Sequence, residues 1–566
     1  MIPEENPITS ENYADIVIEY QGDMTIIESF GNTPINIINN FAAVVHIPLR
    51  EVVGSSLLEQ GYARVPSLGG LVSYASQEAS GINKIRNIPN FNLKGQGVLM
   101  GIIDTGVDYT NPVFQYADKT TRIAAIWDQT IPSETIQEGI KYGTVFTREQ
   151  INMALQSEDP YKIVPSKDEN GHGTMAAGIS GGSAVPESNF VGVAPGVEFI
   201  VVKMKQAKKY LREFYFIPEQ TVCTQETDYL FALEYVLSLA SELQKPIVIC
   251  VSTNASQGAH DGRSLTSRYL SSVATRSGVG VVIAAGNEGN ARRHFFDIVD
   301  PVIGYKVVEL NVGNNEKGFI MEIWGQSPSF LVFDILSPSG EYISKISASQ
   351  NERKMIDFIF EPTIIYLNYS IVEAESGDEL ILLRFVNPSP GIWSFKVFER
   401  GNLKTGFHIW LPMEGFISNN TYFIRSDPYT TILAVGNAQV PITVTAYNNM
   451  DDSFYINSSR GYTRLGAIKP NIAAPGVNVT GPNLNQGFTD FTGTSISAAH
   501  TSGVVAMIME WGVVKGNLVG MSTIEINKFI ERGARRALDV EYPNRDWGYG
   551  ILDVFNVFDS LRGGMV

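Results

Sequence analysis

The hydrophobic pattern changes character three times along the chain. At the N-terminal end, ADIVIEY (14–20) alternates as a half-buried strand and PINIINNFAAVVHIPL (34–49) holds a longer apolar strand. REVVGSSLLEQ (50–60) has helical spacing before a last strand at YARVPSL (62–68). These elements predict a small α+β unit over roughly residues 14–70, closed by the polar, small-residue break GGLVSYASQEASG. From Gly95 the runs become continuous: GVLMGIID, FIVVKMK, PIVICVS and GVGVVIAAG alternate with helical stretches such as ETDYLFALEYVLSLASEL and SLTSRYLSSVATRSG. Unbroken apolar strands separated by helices predict a parallel sheet covered on both faces, with sites at the carboxyl ends of its strands. From 297 to 428 short strands follow one another with strong turns at SPSG (337–340) and NPSPG (387–391), which predicts an inserted all-β sandwich or jelly roll. TILAVGNA then resumes the buried-strand pattern, and the chain closes with helices and WGYGILDVFNVF.

Composition changes this picture little. Hydrophobic residues at 44% and charged residues at 18% suit compact domains. The formal net charge of -17 offers phosphate no basic field, so no nucleic-acid partner is expected. The one basic cluster, KMKQAKK at 203–209, reads as a solvated helix face. The two cysteines, Cys223 and Cys250, make no disulfide framework, and Cys250 within PIVICV reads as a core residue. MIPEENPITSENY has neither the basic nor the apolar region of a signal peptide, and no apolar run reaches a membrane span. A soluble protein without a membrane partner is expected.

The chemistry is concentrated in three segments: GIIDTGVDY around Asp104, DENGHGTMAAGI around His172 and GTSISAAHTSGVVA around Ser495. A serine hydroxyl needs an adjacent base, and the base needs a carboxylate that fixes its tautomer. Asp104 ends an apolar strand, His172 sits between two glycines at a helix start, and Ser495 opens a helix whose first N–H groups have no partner within it. In AAGNEGN, Asn287 follows the strand GVGVVI and can donate its amide to a developing oxyanion beside the Ser495 N–H. Each short motif alone is an ordinary turn, loop or helix cap. All four in this order, in matching strand or helix contexts, read as one nucleophilic site.

The order Asp, His, Ser and these motifs resemble the subtilisin-like serine proteases, over about residues 75–296 and 429 to the end, with GYGILDV similar to the family's closing segment. Within that family, SKDENGHGTMAAGI, VSTNASQGAHDGRS, the large β insertion and SSRGYTRLGAIKPNIAAPGVNV resemble the Csp-type germination proteases of clostridial spores. The resemblance implies a subtilisin-like α/β fold with an N-terminal α+β prodomain (1–74), a catalytic domain (75–296 and 429–566) and an inserted jelly roll (297–428). It implies a protein substrate, such as the precursor of a spore-cortex hydrolase, and a prodomain that stays bound as chaperone and inhibitor. A spore-associated or cytoplasmic location goes with it.

The same resemblance implies that Ser252, Thr253 and Asn254 pair with the substrate backbone, and that Ala284, Ala285 and Gly286 form the other wall of the primary pocket. Asn254 stands where simple subtilisins have glycine, which predicts a narrower or more polar rim. Pro186 occupies the place of a calcium-binding asparagine, so no metal or other cofactor is expected. GINKI resembles the first helix of mature subtilisins and puts the autoprocessing junction at Tyr74–Ala75, with Gln77–Glu78 as alternative. Two other readings stay open: a subtilase-fold pseudoprotease that binds or signals, and a non-spore bacterial subtilase that degrades host or dietary protein.

Overall fold

A computed structural model describes residues 6–31, 33–52, 61–66, 68–71, 78–87, 91–133, 140–300, 302–328, 330–346, 352–401 and 405–561. Strands are labelled in chain order: β1 Tyr13–Glu19, β2 Ile35–Ile37, β3 Ala42–Pro48, β4 Leu68–Leu71, β5 Leu99–Asp104, β6 Ile123–Asp128, β7 Thr144–Thr147, β8 Glu198–Lys203, β9 Thr224–Gln225, β10 Ile247–Val251, β11 Thr253–Asn254 and β12 Val279–Ala284. Later elements are named by their residues.

The central sheet runs Ile442–Asn448, β12, β10, β5, β8, β6, β7. Its inner pairings are parallel. Every residue of β5, β10 and β12 is buried, as continuous apolar runs require. Period-two alternation divides them between two cores: Val248 and Cys250 face the helices His172–Gly181 and Thr494–Met509, whereas Ile247, Ile249 and Val251 face the helices Glu226–Glu242 and Leu265–Ala274.

The N-terminal unit is the antiparallel sheet β1-β3-β2. Val17, Ala42 and Val44 extend the core over the Glu226–Glu242 helix, and Ile16, Ile18 and Val45 pack with Tyr210, Leu211 and Phe214. Leu49–Glu51 forms a 3-10 turn, and residues 53–60, most of the helix expected over 50–60, lie outside the described residues. One expectation fails here. Tyr62–Arg64 is a 3-10 turn, and the strand starts only at Leu68, the end of the expected one, and runs into the segment read as a break. Leu68–Leu71 has no strand pattern of its own. It is extended because it fits between two unsatisfied edges, β9 on one side and β11 on the other.

The insertion consists of two antiparallel sheets around one apolar core that includes Phe319, Trp393 and Phe395. Strand Gly318–Gly325 is buried on both faces. Phe319, Met321 and Ile323 fill the insertion's own core, while Ile320 packs with Tyr215 and Met413, and Glu322 accepts hydrogen bonds from Gly258 N–H (2.9 Å) and Trp324 Nε1 (3.1 Å). The insertion is therefore seated on the catalytic body by an apolar patch with satisfied polar groups.

Candidate active site

Asp104 ends β5, and His172 is the first residue of the helix His172–Gly181. Gly171 precedes that helix with φ +93, a conformation that favours glycine. A Cβ on Gly173 would come within 2.0 Å of the Gly106 carbonyl and 3.2 Å of Asp104 Cβ, so the second glycine lets the helix end close onto the aspartate. His172 Nδ1 donates to Asp104 at 2.8 Å (Oδ1) and 2.9 Å (Oδ2). An ionised carboxylate only accepts, so the ring proton sits on Nδ1 and Nε2 is left as the basic nitrogen. Asp104 also accepts from Ser252 Oγ at 2.5 Å and Thr105 N–H at 2.7 Å. Burial pushes its carboxyl up, but the His172 imidazole, its hydrogen bond and those from Ser252 and Thr105 together hold it below the ordinary value.

Ser495 is the second residue of the helix Thr494–Met509, and its Oγ donates to the Ser252 carbonyl at 3.1 Å. Ser252 thus touches Asp104 through its side chain and Ser495 through its backbone. Asn287 follows β12, and its Oδ1 accepts from Thr494 N–H (3.2 Å) and Thr494 Oγ1 (3.3 Å). That pair of bonds turns the Nδ2 donor away from Thr494, and Thr494 Oγ1 also accepts from Gly286 N–H at 3.0 Å. The structure therefore brings together Asp104, His172, Ser495, Asn287, and Ser252–Asn254. Ala284–Gly286 lie alongside, with the Ala285 carbonyl accepting from Leu433 N–H at 2.9 Å. Tyr74 and Ala75 lie outside the described residues, as does Gln77. Pro186 opens a 3-10 turn, and among the described residues no three His, Cys, Asp or Glu side chains are grouped to hold a metal ion.

Two residues that sequence reasoning passed over hold this geometry. Asp168, buried, accepts from Gly171 N–H (2.8 Å), Thr174 N–H (3.0 Å), Thr174 Oγ1 (2.7 Å) and Thr105 Oγ1 (2.9 Å). Thr105 Oγ1 in turn accepts from Gly173 N–H at 3.0 Å, so one carboxylate ties the aspartate turn to the histidine turn. Thr494 is the second. Both lie within the quoted motifs, where an aspartate four residues before a histidine and a threonine before a serine were the available signals.

The N-terminal unit covers this site through two contacts. β4 occupies the groove between β9 and β11, with Leu71 opposite Thr253 and Leu68 opposite Gln225. Behind it lies a buried polar cluster. Asp15 and His46 are cross-strand partners on β1 and β3, and Asp15 accepts from His46 Nδ1 (2.7 Å), Lys208 Nζ (2.8 Å) and Gln225 Nε2 (2.7 Å). The expected solvated face at 203–209 is thus overturned: Lys203 ends a central strand, Lys205 pairs with Asp228 at 2.6 Å, and Lys208 is 1% exposed. Unmatched buried ammonium groups are costly, and here the N-terminal unit supplies the match.

A parallel sheet with an aspartate at a strand end, a histidine paired with it at one helix start and a serine at another helix start defines an α/β architecture of the serine-hydrolase type. Residues 95–302 and 419–550 match the model of the Subtilase family, Peptidase_S8. The chain belongs to the subtilase family. It is similar to the CspB protease of Clostridium perfringens, with 28% identity and a TM-score of 0.77 over 87% of this chain and 98% of that structure. It is 21% identical to the PII-type proteinase of Lacticaseibacillus paracasei over 98% of this chain and 30% of the relative, and 25% identical to the Arabidopsis thaliana subtilisin-like protease SBT3.10 over 73% and 55%. The chain thus spans about a third to a half of the length of these curated relatives. Among the described residues no helix is long and apolar enough to cross a membrane.

Proposed function

We propose that the chain is a serine endopeptidase that cuts off its own N-terminal unit and then acts on a protein substrate. The observation that carries this is the buried Asp104–His172 pair beside Ser495, with β4 laid as an added strand in the groove leading to the serine. Ser495 Oγ attacks the peptide carbonyl while His172 Nε2 takes its proton, and the same proton passes to the leaving amine as the tetrahedral intermediate collapses. Asp104 orients the imidazole and stabilises its cation. Asn287 Nδ2 and the Ser495 N–H hold the oxyanion, with Thr494 keeping the amide turned towards it. Water then releases the acyl group by the reverse sequence.

Self-cleavage falls within residues 72–78, and the freed N-terminal unit remains docked as inhibitor through the Asp15–Lys208 cluster. The likeness to CspB over nearly the whole of both chains, together with the Csp-type motifs, supports a role in spore germination on the precursor of a cortex hydrolase. Intact mass of wild type beside Ser495→Ala tests the reading. Wild type should split near 72–78 and Ser495→Ala stay whole; two uncut chains would make this a subtilase-fold binding protein.

A further inference from the structure

Asn287 is held by the residues on either side of it, and one of them is tied to the insertion. Towards β12, Gly286 N–H donates to Thr494 Oγ1 at 3.0 Å, and the Gly286 carbonyl accepts from Ser459 N–H at 2.8 Å. On the other side comes Glu288, only 6% exposed although it carries a carboxylate. Its N–H donates to Ser459 Oγ at 2.9 Å, and Gly289 N–H donates to the Asn457 carbonyl at 3.0 Å. A Cβ on Gly289 would lie 2.1 Å from the Ser458 carbonyl, so the loop presses directly on the backbone of 457–459.

The Glu288 carboxylate faces the insertion. Its Oε2 accepts from Nη1 of the buried Arg293 at 3.0 Å, and Oε1 accepts from Glu414 N–H at 2.9 Å. Arg293 stands immediately before the strand His294–Asp297, by which the chain enters the insertion. Glu414 follows the strand Phe407–Trp410, on the way out. Arg293 reaches this returning segment twice more. Its Nη2 donates to Asn419 Oδ1 at 2.6 Å, and its carbonyl accepts from Leu411 N–H at 2.9 Å. One carboxylate therefore ties the residue after Asn287 to both the entering and the returning chain. A buried ion pair recovers little net stability once its desolvation is counted, but its charge-assisted hydrogen bonds fix where both partners stand.

The peptide joining Asn287 to Glu288 is planar, so a displacement of Glu288 carries the Asn287 backbone with it. Thr494 fixes which way the Asn287 carboxamide faces, through the two hydrogen bonds to Oδ1, and Glu288 fixes where its backbone sits. We propose that Glu288, anchored by Arg293, is a positioning residue for the Asn287 amide, and that the insertion thereby supports the chemical step. This rests on the endopeptidase reading above.

The test is a double-mutant cycle on self-cleavage. Full-length chains are pulse-labelled in cell-free synthesis, synthesis is stopped, and the loss of intact chain is timed on gels. The step is unimolecular, so its rate constant carries no substrate-binding contribution. Asn287→Ala should slow it by about 10²–10³-fold. Glu288→Gln should slow it by about 10- to 100-fold, the scale of a misplacement of up to about 1 Å. With Asn287 already alanine, Glu288→Gln should cost less than about twofold, because no amide is left to misplace. A general loss of structure would slow both backgrounds alike, so equal factors in the two would overturn the proposal. An unchanged rate in Glu288→Gln alone would do the same. If that variant does not fold, the exposed Asn419→Ala, which removes one acceptor of Arg293, takes its place. It should slow cleavage by about threefold or more only where Asn287 is present, and no slowing, or equal slowing in both backgrounds, would overturn the proposal. Wild type that stays whole would overturn the endopeptidase reading itself.

Discussion

Asp15→Asn should loosen the N-terminal unit far more than its small change in shape implies. The Lys208 ammonium, 1% exposed, has three acceptors: Asp15 Oδ1 at 2.8 Å and the carbonyls of Pro7 at 2.8 Å and Tyr13 at 3.2 Å. Burial already pushes the Lys208 amine down, and Asp15 opposes that shift. Asn at position 15 leaves a buried cation with neutral acceptors only, and removing one partner of a buried pair costs about 3–5 kcal/mol. The converse change is milder. Lys208→Met leaves Asp15 bonded to His46 Nδ1 and Gln225 Nε2, each at 2.7 Å, and should cost about 1–3 kcal/mol. The assay is native-state amide exchange in uncut Ser495→Ala, read at the buried amides of β1 and β3. At about 1.4 kcal/mol per factor of ten, Asp15→Asn should speed exchange by roughly 10²–10³-fold and Lys208→Met by about 10- to 100-fold. Less than about fivefold acceleration in Asp15→Asn, or a larger effect of Lys208→Met, would refute the reasoning.

Asn287→Ala should lower kcat by about 10²–10³-fold, the loss measured for the equivalent donor of a subtilisin, with KM little changed; a fall in KM-linked affinity alone would show a ground-state contact instead. Acid should weaken the seat of the insertion through its histidines. His294 Nδ1 donates to the Asp427 carbonyl (3.1 Å), so its Nε2 accepts from His408 Nδ1 at 2.9 Å, and a proton added at His294 Nε2 sets N–H against N–H. Burial holds His294 down to about 3 and His408 well below its usual value, with Arg464 and Arg545 adding to the depression of His408. The unfolded chain binds those protons first, so this stability is complete above about pH 6.5 and is lost as pH falls, by about 2 kcal/mol per histidine at pH 5. Glu375 and Glu379, raised to about 8 by burial, act in the opposite direction, so urea unfolding of wild type and His408→Gln should be compared from pH 7.5 to 5. Parallel pH profiles would refute the assignment.

What could be read from the sequence was what depends on local pattern. The unbroken runs at β5, β10 and β12 specify strands covered on both faces, and the glycines around His172 mark a turn that L-residues resist. What could not be read depends on partners distant in the chain. Lys208 looks like one of a run of surface lysines until Asp15, far upstream, is folded against it. Leu68–Leu71 is too short and glycine-rich to announce a strand, and becomes one only between β9 and β11. Asp168 and Thr494 sit in recognised motifs, but their roles lie in hydrogen bonds whose acceptors and donors come from other segments.

The insertion also sets a timetable. It separates Asn287 from Ser495, so that about 200 residues lie between the two. At about 5–20 residues per second, roughly 10–40 s pass on the ribosome after Asn287 is made and before the serine exists. At the start of that interval the N-terminal unit, Asp104 and His172 have already been made, and the two insertion sheets are completed within it. A nascent chain therefore carries Asp104 and His172 before Ser495 exists, and the order of synthesis alone delays assembly of the site.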